Sequence, residues 1–161
     1  MDDMDRRILE GLMANARKKN TELARTLNIP PTTLQERIRR LEERGVVTGY
    51  RAVLDPEKMG YGVQAFIAVS LDRHEPENIR AFEKRVNEMS RVKACYHLSG
   101  RLDYLLHVVA GDLDELGTLV KSGITALPGF GRSETFLIFS EIKPDGGCPL
   151  PGDGDDENQE L

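Results

Sequence analysis

NTELARTLNIPPTTLQERIRRLEERG, Asn20 to Gly45, decides how the first third of this chain folds. Leu23, Ala24 and Leu27 form the inner stripe of a short helix, which Asn20 or Thr21 can cap and which Asn28 can end in the left-handed conformation. Ile29 and the Pro30-Pro31 pair then force a sharp break, and Pro31 suits the first turn of a new helix. That helix spans 31–44, turns Leu34, Ile38 and Leu41 inward, and meets a terminating glycine at Gly45. Two short helices separated by about three turn residues are predicted to form a helix-turn-helix.

The opposite side of the later helix carries Thr32, Glu36, Arg39, Arg40 and Glu43, with Thr33 and Gln35 flanking it. Arginine forks suit guanine or phosphate, glutamine suits adenine, and threonine suits either kind of base, so this face is a candidate reader of duplex DNA. A merely solvated face would also be mixed in sign, and Glu36, Glu42 and Glu43 weaken its positive field. Upstream, Met4, Ile8 and Leu12 recur at helical spacing behind Asp2, Asp3 and Asp5, which favour a helix N-terminus. Downstream, VVTGYRAVLD alternates loosely around Thr48-Gly49, predicting a small β-wing. Arg51 on that wing is a candidate phosphate ligand, or simply an exposed side chain.

Farther along, the pattern becomes strand, helix, strand, strand, helix, strand. The strands are 63–71, 92–99, 104–110 and 133–143; the helices are 76–89 and 112–127, the second burying Leu113, Leu116, Leu119, Val120, Ile124 and Leu127. This order predicts a ferredoxin-like βαββαβ domain. QAFIAVSL and YLLHVV are apolar at nearly every position, as strands covered on both sides are. Two helices cover only one face of four strands, so a second copy of the chain is expected on the other, making a homodimer.

Charge is distributed unevenly. The net charge of −5 divides into 12 basic and 10 acidic residues over 1–60, 10 and 11 over 61–143, and none and 6 over 144–161. The last segment, rich in proline, glycine and acid, is predicted to be a disordered acidic tail. No apolar run approaches the roughly 18 residues of a membrane span, and the acidic start does not resemble a secretory leader, so a cytoplasmic protein without membrane partners is expected. Cys95 and Cys148 have no metal or redox spacing and read as free thiols. GYGVQA at 60–65 precedes a strand instead of joining strand to helix, which excludes a dinucleotide fingerprint. His74, His97 and His107 lack metal-ligand spacing. Cys95 and His97 share a strand face, where packing accounts for them better than a nucleophile and base do. No catalytic residue, metal or cofactor is expected.

With these residues in view, 2–143 resembles the Lrp/AsnC (leucine-responsive, feast/famine) family. DMDRRILEGLMANAR, TELARTLNIPPTTLQERIRRLEERGVVTGYRAVLD, CYHLSGRLDYLLHV and LPGFGRSETFLIFSEIK carry the resemblance, in the family's order and spacing. It implies an α+β protein with an N-terminal winged helix-turn-helix and a C-terminal ferredoxin-like domain that binds an effector. It also implies dimers assembling to octamers, and an amino acid or related metabolite held between dimers near the loop after the second strand. Carried onto this chain, that site is Ser99, Gly100, Arg101, Leu102 and Asp103, with Thr135 nearby. On residues alone, Gly100 to Asp103 could equally be a plain hairpin turn. Pro30 replaces the common serine cap of the recognition helix, and Arg101 replaces a common acidic residue.

The expected division is therefore a DNA-binding domain at 1–54, a linker at 55–61, an effector and oligomerisation domain at 62–143 and the tail at 144–161. The expected DNA-binding residues are Thr32, Thr33, Gln35, Glu36, Arg39, Arg40 and Arg51, and double-stranded DNA is the expected partner of a transcriptional regulator. The rival reading is an enzyme similar to the siroheme decarboxylases, which pair similar domains; SGRLDYLL follows the regulator pattern instead.

Overall fold

In the computed structural model, which describes residues 1–151, the chain divides into two compact units. One comprises Met1–Ala52 with the segment from Lys143 onward, and the other Val53–Ile142.

The first unit holds α1 (Asp3–Ala14), α2 (Asn20–Leu27) and α3 (Pro31–Glu43). Asp2 caps α1, accepting from the Asp5 amide at 2.8 Å, while Asp5 accepts from the Asp2 amide at 3.2 Å. This reciprocal pairing satisfies two amides that would otherwise lack partners. Neither Asn20 nor Thr21 caps α2: Lys19 occupies that position without a side-chain bond, and its carbonyl accepts from Glu22 and Leu23. Asn28 does take the left-handed conformation, at φ 55° and ψ 45°, and the Ile29 amide donates to Ala24 to close the turn. α3 ends the same way at Gly45, whose φ of +68° favours glycine, with the Val46 amide bonded to Leu41. Ile8, Leu9, Leu23, Ala24, Leu27, Leu34, Ile38 and Leu41 form the core, so the helical stripes read from sequence meet as one cluster.

The wing segment follows α3 without the strands expected of it. No strand forms between residues 46 and 62, and Val53 and Leu54 are exposed. A two-stranded ribbon without a third element to pack on is marginal, so an extended segment replaces it. The segment from 144, expected to be a disordered tail, forms no helix or strand over its described part. Leu150 packs against the helical core, the Gly147 amide donates to Asp145 at 2.9 Å, and the Pro151 carbonyl accepts from Arg6 at 3.0 Å. One leucine and flanking prolines suffice to anchor a stretch whose composition otherwise disfavours order. The remainder of that tail lies outside the described residues.

The second unit contains β1 (Val63–Leu71), α4 (Pro76–Asn87), β2 (Val92–His97), β3 (Tyr104–Ala110), α5 (Leu113–Thr118) and β4 (Phe130–Leu137). The four strands form one antiparallel sheet in the order β2-β3-β1-β4. Ala65, Ile67, Val69, Tyr104, Leu106 and Val108 alternate onto the face covered by Phe82 and Val86 of α4 and Leu116 of α5. α5 continues as a π-helical segment (Leu119–Ile124) instead of one uniform helix, and Leu113, expected inside, is exposed. β4 begins three residues earlier and ends six earlier than the apolar pattern suggests. Leu71 pairs with Phe130 across a bulge, and at the other end the Gln64 carbonyl accepts from Ile138 at 2.9 Å, one residue short of the first residue of β1, Val63.

Candidate functional site

On α3 the structure leaves Thr32, Thr33, Gln35, Glu36, Arg39 and Arg40 exposed together, because Leu34, Ile38 and Leu41 fix the opposite side in the core. Arg39 does not project freely. It bonds Glu36 at 2.8 Å and also pairs with Glu43, and Arg40 lies 3.6 Å from Glu36. The Arg39 hydrogen bond holds the Glu36 carboxyl below the usual carboxylate range. Exposed pairs of this kind are weak, so phosphate or base oxygens can displace the carboxylates at little cost. Arg51, in the extended segment after α3, is exposed and lies 3.8 Å from Asp145.

Sequence reasoning overlooked Arg37. It donates to Asp2 and to Asp5, each at 2.7 Å, and so bolts α3 to the capped end of α1. Asp2, Asp5, Arg37, Arg40, Leu41 and Arg44 line a cavity of about 110 Å³ beside the exposed polar face of α3. The contact spans 32 residues from Asp5, and nothing in helical periodicity signals such a pairing.

In the sheet unit, Ser99, Gly100, Arg101, Leu102 and Asp103 form the loop between β2 and β3. Gly100 sits at φ +126°, open to solvent, where a side chain would be strained. The loop is fastened to β1: Asp103 donates its amide to Val69 at 3.0 Å, its carboxylate accepts from the Leu71 amide at 2.7 Å, and Ser70 Oγ donates to the Arg101 carbonyl at 3.2 Å. The second Asp103 oxygen meets His74 Nε2 at 2.9 Å. Burial opposes ionisation of Asp103, yet the His74 and Leu71 hydrogen bonds outweigh it and hold the carboxyl below its ordinary value. Arg101 extends into solvent while Leu102 is half-buried. Thr135 is not brought to this loop within one chain. It pairs with Ile67, whereas Ser133 stands level with Val69.

The sheet face away from the helices presents Phe66, Leu105, Tyr96 and Phe136, joined by His107, whose ring lies 4.9 Å from that of Phe66. Tyr96 and Phe136 are each about half exposed. On the other face His97 stacks on Tyr104 at 4.8 Å, and burial followed by the Glu83 charge pushes the Cys95 thiol up, the reverse of nucleophile activation. No metal-binding group of three or more His, Cys, Asp or Glu occurs among the described residues.

Comparison with known proteins places both units. Residues 64–148 match the Lrp/AsnC ligand binding domain, and residues 1–48 match a winged helix-turn-helix DNA-binding domain. The HTH-type transcriptional regulator AldR of Mycolicibacterium smegmatis is 38% identical over 150 residues, covering 93% of this chain and 86% of that protein. The leucine-responsive regulatory protein of Escherichia coli K12 is 32% identical over 143 residues, covering 89% and 87%. Among solved structures, the L-Met complex of a transcriptional regulator from Neisseria meningitidis superposes with a TM-score of 0.89 at 31% identity, covering 94% of this chain and 97% of that one.

Proposed function

The chain belongs to the Lrp/AsnC family of transcriptional regulators, and from that premise we propose how its two units divide the work. It is a DNA-binding regulator with a small-molecule-binding domain and not an enzyme, which disposes of the decarboxylase reading. Residues 1–54 bind duplex DNA through Thr32, Thr33, Gln35, Glu36, Arg39 and Arg40, with Arg51 on the backbone. Residues 55–61 link them to an effector and oligomerisation domain at 62–143. The observation that carries this assignment is the shared exposure of six polar side chains on the helix after the turn.

The effector is an amino acid or a close relative, bound where two dimers meet at Ser99 to Asp103, with Thr135 supplied across the assembly. The open Gly100 backbone suits a carboxylate, and Arg101 adds a cation with room to move. The relative solved with L-Met supports an amino-acid ligand. A homodimer, assembling further to octamers, covers the aromatic sheet face, where Tyr96 and Phe136 stand half exposed beside Phe66 and Leu105 with no helix over them. No helix among the described residues is long and apolar enough to cross a membrane, and a cytoplasmic location fits a regulator of DNA. Chromatin capture followed by sequencing tests the reading: enrichment of discrete sites supports it, and uniform recovery across the genome overturns it.

A further inference from the structure

Along α3, Arg37, Leu41 and Arg44 recur at helical spacing and Arg40 follows Arg37 by one turn, so the four side chains make one ridge. Leu41 is buried, and the ridge meets the first turn of α1 at the cavity that Asp2 and Asp5 also line. The N-terminus of a helix carries partial positive charge, so an arginine brought against it without a counter-ion would be repelled. Asp2 and Asp5 stand between the two. Both accept from the same Arg37 nitrogen, Nη1, at 2.7 Å each, and the Asp5 side chain is only 14% exposed. The Arg37 hydrogen bond, followed by that from the Asp5 amide, holds the Asp2 carboxyl below its ordinary range. These are also the two carboxylates that close the reciprocal cap of α1, so the cap and the junction with α3 form one unit.

Burial of Leu34, Ile38 and Leu41 attaches α3 to its neighbours, but apolar contact is non-directional and sets rotation about the helix axis less sharply than hydrogen bonds do. Rotation matters for a reading face. Helical side chains reach about 5–6 Å from the axis, so a turn of about 20° carries their ends about 2 Å, enough to break a bidentate contact to a base. One nitrogen bonded to two carboxylates on another helix fixes that angle.

We propose that Arg37, held by Asp2 and Asp5, is a positioning residue for DNA selectivity: it sets the angle of α3 without itself touching the duplex. This inference rests on the DNA-binding reading of α3 and deepens it. Its consequence is opposite in sign to that of simple electrostatics. Removing two acids beside arginines strengthens DNA binding where charge alone counts. Here the same change weakens binding to the chain's own sites, because α3 loses its alignment.

The test measures, by anisotropy, the affinity of the full-length protein for a captured genomic site and for a random-sequence duplex of equal length. The amide pair, Asp2→Asn with Asp5→Asn, retains oxygen acceptors for the α1 cap, so circular dichroism should show the helices retained. Its discrimination between the two duplexes should fall about tenfold, with affinity for random duplex unchanged or raised. Arg37→Ala should lose discrimination to the same degree, and combining all three changes should add nothing further. Arg37→Lys should restore most of it, because a single ammonium has the donors to serve both carboxylates. Unchanged discrimination in the amide pair, or stronger binding to both duplexes alike, overturns the proposal. So does an Arg37→Ala loss that falls equally on both duplexes with a shallower salt dependence, which would make Arg37 a phosphate ligand. If the amide pair does not fold, Asp2→Asn alone, at the more exposed carboxylate, decides by the same criteria. Failure of this inference leaves the reading of α3 standing where Arg39→Ala with Arg40→Ala still lowers selectivity; if the unaltered chain prefers no captured site over random duplex, both fall.

Discussion

His74 Nε2 and Asp103 Oδ1 lie 2.9 Å apart, and through this contact the segment that follows β1 holds the loop between β2 and β3. Asp103 also accepts from the Leu71 amide, so one carboxylate ties the loop both to the last residue of β1 and to the segment after it. Its carboxyl is held below the ordinary range, which means it contributes stability above the unfolded value near 4 and loses that contribution as pH falls through the lower folded value. Asp103→Ala should therefore cost about 1–2 kcal/mol at pH 7, and the cost should shrink as pH falls below about 4. Denaturant unfolding across a pH series from 7 downward checks this; a loss that does not change with pH would contradict it.

A thermal-shift screen over the twenty amino acids at millimolar concentration addresses the effector. We expect at least one to stabilise the protein, by about 1–3 kcal/mol when ligand exceeds its dissociation constant ten- to a hundredfold. The shift should disappear in Gly100→Val, where the strained backbone closes the loop to a carboxylate. No stabilisation by any amino acid would refute the proposed ligand class.

Phe66 and Phe136 pair across β1 and β4 on the sheet face without helices. Phe136→Glu should convert the assembly to monomers at micromolar concentration, as light scattering would reveal. Acid should act in the same direction. Burial first, then the Lys93 charge, lowers the His107 value against the opposing pull of Glu141. A histidine depressed on folding favours the folded state above its unfolded value near 6.5 and loses that contribution as pH falls below it. Assembly that covers His107 further should weaken as pH falls below about 6.5, because burial disfavours the charged ring, and His107→Gln should flatten that dependence.

The architecture was legible because it rests on periodicity. Leu34, Ile38 and Leu41 declare a helix face, Ala65, Ile67 and Val69 a strand face, and Asn28 and the two prolines the turn between helices. What escaped depends on distance in sequence. His74 meets Asp103, and Arg37 meets Asp5, only because the fold brings separate segments together. The end of β4 was misplaced since FLIFSEIK remains β-like past Leu137, while its partner β1 stops supplying residues. The strands expected in the wing segment and the burial expected of Leu113 are absent for a related reason: local pattern cannot reveal whether a neighbour exists to pack against. Leu150 shows the converse, a single apolar residue in an unpromising stretch that finds a core.

Glu36 lies within reach of Arg39 and Arg40, and should restrain their attraction for phosphate. Glu36→Gln is expected to strengthen binding to random-sequence duplex about three- to tenfold at low salt while narrowing the preference for the chain's own sites. Competition binding with both DNAs checks it; equal strengthening on both would assign Glu36 no part in selectivity.

The exposed face of α3 is the centre of the account, and it is tested most directly by measuring affinity for a captured genomic site at fixed salt with Arg39→Ala and Arg40→Ala combined. The helix core formed by Leu34, Ile38 and Leu41 is untouched by these changes, so folding should persist. The account expects affinity to fall about ten- to a hundredfold, and discrimination against random duplex to fall with it. Unchanged affinity and selectivity in a folded double variant would contradict the assignment of α3 as the DNA-reading helix.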